Sequence, residues 1–478
     1  MSNSTENQTQ RLLLGYLQPA TGRQLGFHAG PARTVADQPL WHDGHSHLMT
    51  IARTGSGKGT GACIPAALLH PGGLISMDPT GVQAAITARA RRLLGQQVIV
   101  LDPAQITGLP GHSLNPLDLI DLEHHAVEDV QTLVHSLAAP LLADTRNAFW
   151  VLRAMQLVIA LTLMLLHEAA MRPGSAPASL PRVRELVHGC MGSLEAILRR
   201  MAACPHPEVR AAVALLQNDA KETLGGILSF AQELVDFVRG AGIEASVSSS
   251  SFDANVLTTD PSAVSVYLVL PPHMLESHGR VLALWLSALY LAITRRRVMP
   301  QVPTLLLLDE AAQLGTLPAL RQAVTLLRNY GVITWSVWQD YHQGASRYEQ
   351  DWKTMVNNCG VLQVFGAMNA DCAAHLADVI GCAPERLRCL NRSDAVITLD
   401  GGDAQLVRRP NYLTDPLFAG RFDANPFFAP AGTALVAARP RSAAPVGRAG
   451  TFKSSAPVDR LAARLLALAA PDPSKAAG

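Results

Sequence analysis

An α/β core on a parallel sheet, interrupted by an all-α insertion, is the architecture this sequence predicts, and three observations carry that expectation. Short apolar runs alternate with helical stretches up to about residue 123 and again from about residue 246, the pattern of strand–helix–strand units. Between those limits strand signals vanish and helical periodicity takes over. A glycine-rich turn joins the first strand of the core to the helix that follows it, HLMTIARTGSGKGTGACIPAALL from His47 to Leu69.

That turn holds the first chemistry. Gly55, Gly57 and Gly59 can take positive φ without a Cβ clash. Consecutive amides can then point inward as an anion nest, with the positive end of the next helix behind them. Thr54, Gly55, Ser56, Gly57, Lys58, Gly59 and Thr60 are the candidate nucleotide-binding residues. Lys58 would reach the β- and γ-phosphates of a nucleoside triphosphate, and Thr60 is the nearest downstream hydroxyl for Mg²⁺. The match to G-x-x-x-x-G-K-[ST] is imperfect, because Ala52 stands at the first place and Gly59 follows the lysine. An ordinary glycine turn, or a nucleotide-kinase loop of the GSGKGT kind, fits the same letters.

With 478 residues the chain exceeds one simple core. The expected division is an irregular segment over 1–43, the nucleotide-binding core over 44–123 and 246–430, the all-α insertion over 124–245, and a mostly disordered Ala/Pro/Arg-rich tail over 431–478. A short amphipathic helix is expected within the tail, at Val458–Leu468. Hydrophobic residues make up 48% and charged residues 16%, which excludes a wholly disordered chain and suits a helix-rich globular body. The formal net charge of +1 advertises no basic field, so any DNA contact must be local. Seven cysteines without a C-x-x-C pair read as free thiols of a reducing cytoplasm, Cys372, Cys382 and Cys389 being the nearest grouping. His42, Asp43, His45 and His47 crowd together, as loop histidines or as a metal site. The N-terminus lacks the pattern of a signal peptide. The apolar runs Leu157–Leu166 and Val281–Ile293 fall short of the ~20 residues of a membrane span and read as core helices.

In chain order, Gly61–Leu69 reads as a helix disturbed by Pro65, Leu74–Met77 as a strand ending at Asp78-Pro79, and Val82–Leu94 as a helix whose Arg89, Arg91 and Arg92 face solvent. Val98–Leu101 is a second strand ending in Asp102-Pro103. Helices follow at Val130–Leu142, Ala148–Ala170, Leu186–Met201, Glu208–Asp219 and Glu222–Arg239, and the serine run Ser246–Ser251 leads back to the core. There the strands are Val264–Leu270, Thr304–Leu308, Ile333–Val337, Val361–Phe365 and Ala395–Leu399. A helix over Met274–Ile293 ends in Arg295-Arg296-Arg297, where cations suit the helix dipole.

Strand C-termini are where α/β sheets bind ligands. Thr304–Leu308 ends in Asp309-Glu310, one carboxylate to hold Mg²⁺ and the next to polarise an attacking water. Gln339 ends the next strand as a γ-phosphate sensor or a plain polar terminus. Arg328 is either an arginine finger offered to a neighbouring subunit or a solvated arginine at a helix end.

The run TLLLLDEAAQLGTLPALRQAVTLLRNYGVITWSVWQDYHQ resembles the type IV secretion coupling proteins, the conjugative DNA-transfer ATPases of the TraG type. The resemblance covers His47–Thr80, Val98–Asp118 and Lys221–Gly381. It implies a RecA-like P-loop NTPase core with an inserted all-α domain, a homo-hexameric ring with ATP and Mg²⁺ between subunits, and a channel handling DNA or relaxase-type nucleoprotein. It implies Lys58 as the phosphate-loop lysine, Asp309 and Glu310 as metal-binding and catalytic acids, Gln339 as sensor and Arg328 as finger. The function expected is an ATP-driven motor feeding single- or double-stranded DNA, nucleoprotein or protein into a type IV secretion channel. The alternative is a nucleotide-dependent recruitment scaffold. The chain differs from the pattern in three ways: it shows no N-terminal transmembrane helices, it has Asp78-Pro79-Thr80-Gly81-Val82 where Asp-Pro-Lys-Gly-Glu is common, and its net charge is near zero. A cytoplasmic place, at the inner membrane through a partner, follows from that reading.

Overall fold

The computed structural model describes residues 12–17, 38–43, 46–172, 174–314, 318–367 and 369–428. The expected tail over 431–478, with its helix at Val458–Leu468, lies outside the described residues.

Every core strand expected from the sequence is present, and three more join them. The strands are β1 (Leu12–Leu17), β2 (Gln38–His42), β3 (His47–Ile51), β4 (Leu74–Met77), β5 (Gln97–Leu101), β6 (Val264–Leu268), β7 (Thr304–Leu308), β8 (Val332–Trp338), β9 (Cys359–Val364), β10 (Asp394–Leu399) and β11 (Gln405–Arg408). They form one sheet in the order β2-β1-β11-β10-β9-β3-β8-β7-β4-β6-β5. From β9 to β5 neighbouring strands run parallel. From β9 outward through β10, β11, β1 and β2 they run antiparallel.

The apolar runs of the parallel strands are continuous because both faces are covered. In β7, Leu305 and Leu307 face one core cluster while Leu306 and Leu308 face the other, as the two-residue period requires. Helix α1 (Ile64–Leu69) and helix α2 (Val82–Leu93) cover the first face. The second face is covered by α3 (Ala126–Leu142), by the long buried α11 (Arg280–Thr294), and by the helices around them.

The irregular segment expected over 1–43 is corrected by β1 and β2. Leu12, Leu13 and Leu14 are buried, and β1 pairs with β11 on one side and β2 on the other. Gly15 in β1 and Pro39 in β2 disguise the strands in the sequence, and the partner of β1 on its inner side, β11, lies nearly 400 positions away. Gly15 is needed there, since a Cβ would sit 2.9 Å from the Arg408 carbonyl oxygen.

Between β5 and β6 the chain is helical. After α3 come α4 (Ala148–Met171), α5 (Leu180–Ala202), α6 (Pro207–Gln217), α7 (Lys221–Val235), α8 (Ala241–Ser248) and the short α9 (Val256–Thr259). Helix α4 is the hub, touching α3, α5, α6 and α7. Residues 145–171 are long and apolar enough to cross a membrane, longer than the sequence runs suggested, and two-thirds of their most apolar stretch is buried inside the molecule. Apolar side chains of these helices join the same continuous core as one face of the sheet. The two crossings between sheet and helices are laced side by side. Leu114 N–H donates to Ser246 O (3.0 Å), Ser251 N–H to Ser113 O (3.0 Å) and the Ser250 hydroxyl to Asp118 Oδ2 (2.7 Å).

Helices α10 (Pro272–His278) and α11 (Arg280–Thr294) lead from β6 to β7, and α12 (Pro318–Leu326) leads on to β8. Then α13 (Tyr341–Tyr348) and α14 (Gln350–Asn357) lead to β9, and α15 (Ala370–Ile380) and α16 (Pro384–Arg388) to β10. The arginines expected on a solvated face of α2 divide. Arg91 is fully buried and donates to the carbonyls of Ala67, His70 and Gly72 and to the Ser265 hydroxyl, stapling the end of α1 to the sheet. Burial lowers its pKa to about 10.

Candidate nucleotide-binding site

The loop between β3 and α1 starts where the parallel strands end. Ala52 N–H donates to Trp338 O at 2.8 Å, tying the loop's first residue to the end of β8. Gly55 and Gly57 take φ values of 75° and 87°, conformations open to glycine. Gly59 does not, and instead opens a π-helical turn, Gly59–Cys63, that runs into α1. The cause is Pro65. Its ring nitrogen cannot donate to Gly61, and the ladder shifts so that Ile64 N–H reaches Gly59 O five residues back. The disturbance expected at Pro65 is therefore a wide turn under the loop, and Thr60 lies on it.

Four of the candidate residues meet at the strand ends. Lys58 Nζ bonds Glu310 Oε1 and lies 3.3 Å from Asp309 Oδ1. The Gln339 amide donates to Glu310 Oε2. The side chains of Lys58, Asp309 and Glu310 are 14%, 17% and 20% exposed, so their attraction is less screened than that of a surface pair. Burial alone would lower the Lys58 pKa, but the two carboxylates outweigh it and raise it. Burial, with Glu310 adding to it, raises the Asp309 pKa against the pull of Lys58. Glu310 holds a left-handed backbone, φ 61°, rare for a residue with a side chain and a form of strain that gathers at functional sites.

Arg328 is not in this group. It is exposed in the turn Leu327–Tyr330, ahead of the N-terminus of β8, and it faces His47 closely enough to depress that imidazole, which burial first lowers, to about 4. The phosphate loop follows the C-terminus of the parallel strand β3, so the length of β8, at about 3.3 Å per residue, separates Arg328 from Lys58 of the same chain.

The structure adds residues that sequence reading missed. Gln83 at the start of α2 donates to Asp309 Oδ2 (3.2 Å) and accepts from Ser76 (3.0 Å). Asp78 accepts from Ala84 N–H at 2.9 Å, and burial, aided by the neighbouring Asp309, pushes its pKa up to about 7. The turn that departs from Asp-Pro-Lys-Gly-Glu thus supports the acid pair through Gln83. Arg409, just past β11, donates to the Ser56 carbonyl at 2.5 Å and stacks over Phe365 at 4.3 Å. A cavity of about 360 Å³ opens between Gly55–Gly61 and the residues Arg392, Arg408, Arg409, Asn411 and Thr414. The strand-end Asp-Pro pair was a signal for Asp78; nothing local in the sequence marked Gln83 or Arg409.

A magnesium ion fits these donors. Asp309 Oδ1 is buried without a hydrogen-bond donor of its own beside the Lys58 charge, and Thr60 brings its hydroxyl to the same loop. Among the described residues of the histidine group, His42 is held to the Ser46 carbonyl, and His47 lies in β3 accepting from Thr334 N–H at 3.0 Å. His45 lies outside the described residues. Of the cysteines expected as free thiols, Cys372 and Cys382 are half-buried and Cys389 is exposed.

Comparison with known proteins gives a consistent picture. The family described as type IV secretory system conjugative DNA transfer matches residues 7–410. A conjugal transfer protein TraG of Escherichia coli is 27% identical over 369 residues, 72% of this chain and 56% of its own length. The TraG of Agrobacterium fabrum (strain C58) is 28% identical over 309 residues, 64% of this chain and 46% of its own. This chain thus spans about half the length of those curated relatives. Among solved structures, the plasmid coupling protein TrwB in complex with a non-hydrolysable ATP analogue superposes with a TM-score of 0.61 at 16% identity, covering 84% of this chain and 95% of that one. That likeness establishes the RecA-like α/β fold.

Proposed function

The chain belongs to the type IV secretory system conjugative DNA transfer family, and from that membership we propose that it is an ATP-hydrolysing coupling motor that drives DNA, nucleoprotein or protein into a type IV secretion channel. The observation that carries this reading is the meeting of Lys58, Asp309, Glu310 and Gln339 at one loop, from positions up to 281 residues apart in the sequence.

The triphosphate lies along the loop, with its γ end at Lys58. Lys58 exchanges its carboxylate partners for phosphate oxygens, and Glu310, released, accepts a proton from the attacking water. Magnesium, when bound, neutralises charge on the β- and γ-phosphate oxygens. Asp309, steadied by Gln83, and Thr60 would hold it. Gln339 bridges Glu310 to the end of β8, so loss of the γ-phosphate is felt by α13. The cavity beside the loop, lined by Arg392, Arg408 and Arg409, would take the base and ribose. Arg328, far from its own loop, serves a neighbouring subunit's nucleotide in a homo-hexamer. Such a motor works in the cytoplasm, at the inner membrane beside the channel proteins that receive its cargo.

ATP turnover of the purified chain with and without single- and double-stranded DNA tests the reading. Turnover stimulated by DNA is expected. Slow turnover indifferent to DNA, with ATP-dependent assembly, supports a recruitment scaffold and sets the motor aside.

A further inference from the structure

Among the described residues outside the nucleotide cleft, one group of side chains is arranged as ligands. His342 on the first turn of α13 and Asp371 and His375 on α15 bring one ring nitrogen each and a carboxylate oxygen within 4.8 Å of one another. His342 Nε2 lies 3.4 Å from Asp371 Oδ2, and His375 Nδ1 lies 3.6 Å from Asp371 Oδ1. Ligand atoms about 2.0–2.2 Å from a tetrahedral zinc ion stand roughly 3.3–3.6 Å apart. The two imidazole rings meet edge to face, their centroids 4.7 Å apart.

The surroundings hold these groups in place. Asp340 Oδ1 accepts from His342 N–H at 2.9 Å and caps α13. Asn369 caps α15 by accepting from Cys372 N–H at 2.8 Å, which sets Asp371 and His375 one helical turn apart on one face. Tyr341 stacks on His375 with an interplanar angle of 29° and packs against the buried Trp352. Gly344 lets α13 lie against that same indole, where a Cβ would come within 2.3 Å. His375 Nδ1 also lies 3.0 Å from the Asp371 carbonyl, so an ion bound at that nitrogen takes the place of its N–H.

We propose that His342, Asp371 and His375 form a binding site for a first-row divalent cation of the zinc class, clamping α13 to α15. Two imidazoles and one carboxylate favour zinc, cobalt or nickel over magnesium, which takes oxygen ligands and keeps its waters. Three protein ligands leave a fourth position to water. All three side chains are about half exposed or more, so the ion enters directly from solvent. Gln339 immediately precedes the Asp340 cap of α13. A bound ion therefore stiffens the segment that carries the contact to Glu310, independently of what the nucleotide cleft does.

The full-length chain, stripped with chelator and free of nucleotide, is titrated with Zn²⁺ by calorimetry and with Co²⁺ by visible absorption. One equivalent of Zn²⁺ per chain is expected, with tetrahedral-type Co²⁺ bands. His342→Ala and His375→Ala should each weaken binding by about tenfold or more, the scale on which metal sites answer to their ligand shell. His124→Ala, which removes an exposed histidine remote from α13 and α15, should bind as the wild type does. Zn²⁺ should also raise the thermal midpoint of the wild type and not of the histidine variants. Absence of a saturable equivalent, or an affinity loss smaller than that in either histidine variant, overturns the assignment.

Discussion

Lys58 in this chain is not free to meet an anion. Two carboxylates hold it, and with Asp78 nearby the site gathers up to three negative charges around one positive. Proton uptake relieves part of that excess. Asp78, fully buried, has its pKa pushed up to about 7 against an ordinary value of 3.8, burial being the main cause. Between those two values the folded chain keeps a proton that the unfolded chain has released. Asp78 therefore contributes stability at low pH that is lost as pH rises from about 4 to 7. Asp78→Asn keeps an oxygen for Ala84 N–H and removes the titration. Its stability relative to wild type, followed by thermal or urea unfolding, is expected to rise across that window by the order of 4 kcal/mol. A constant difference across the window contradicts the buried-acid account.

At the scale of elements, the phosphate loop is braced from two sides. The end of β8 anchors its start through Ala52, and the antiparallel extension anchors its tip through Arg409. The Arg409 guanidinium is buried, stacked on Phe365, and bonded to the Ser56 carbonyl. A charge-assisted bond of this kind is worth about 1.5–3 kcal/mol. Arg409→Ala is expected to weaken ATP binding by roughly tenfold to a hundredfold with the fold retained, read by nucleotide titration beside a circular dichroism melt. Unchanged affinity would separate the extension from the site. The parallel strands were legible in the sequence because burial on both faces makes their apolar runs continuous, and the acids and Gln339 were legible because they stand at the ends of those runs. Strand β1, the edge strand β2 and Arg409 were not. β1 and Arg409 take their roles from pairings across more than 350 positions, which no local period or turn signal encodes, and β2 depends on β1. Arg91 was misread for a related reason: its helix has an exposed side, but this one residue turns inward to cap carbonyls at the end of α1.

At the scale of the whole molecule, sheet and helical bundle share one apolar core, so a shift at the strand ends reaches the bundle through packed side chains. The position of Arg328 at the far edge of β8 gives it no access to its own chain's loop. If it completes a neighbour's site, two inactive variants should rescue each other. Lys58→Ala and Arg328→Ala chains, each with ATP turnover reduced about a hundredfold or more when alone, should regain turnover when mixed before assembly. One class of interface in the mixture joins an intact Lys58 to an intact Arg328. No recovery in a mixture shown to co-assemble by mass measurement would remove Arg328 from the catalytic account.

The central claim is that a loop and an acid pair from distant parts of the chain hold one nucleotide. Measuring ATP affinity and ATP turnover side by side on Glu310→Gln tests it most directly. The account predicts binding as tight as wild type or tighter, because Lys58 loses a competing carboxylate, with turnover reduced by about two to four orders of magnitude. Turnover within a few-fold of wild type would contradict it.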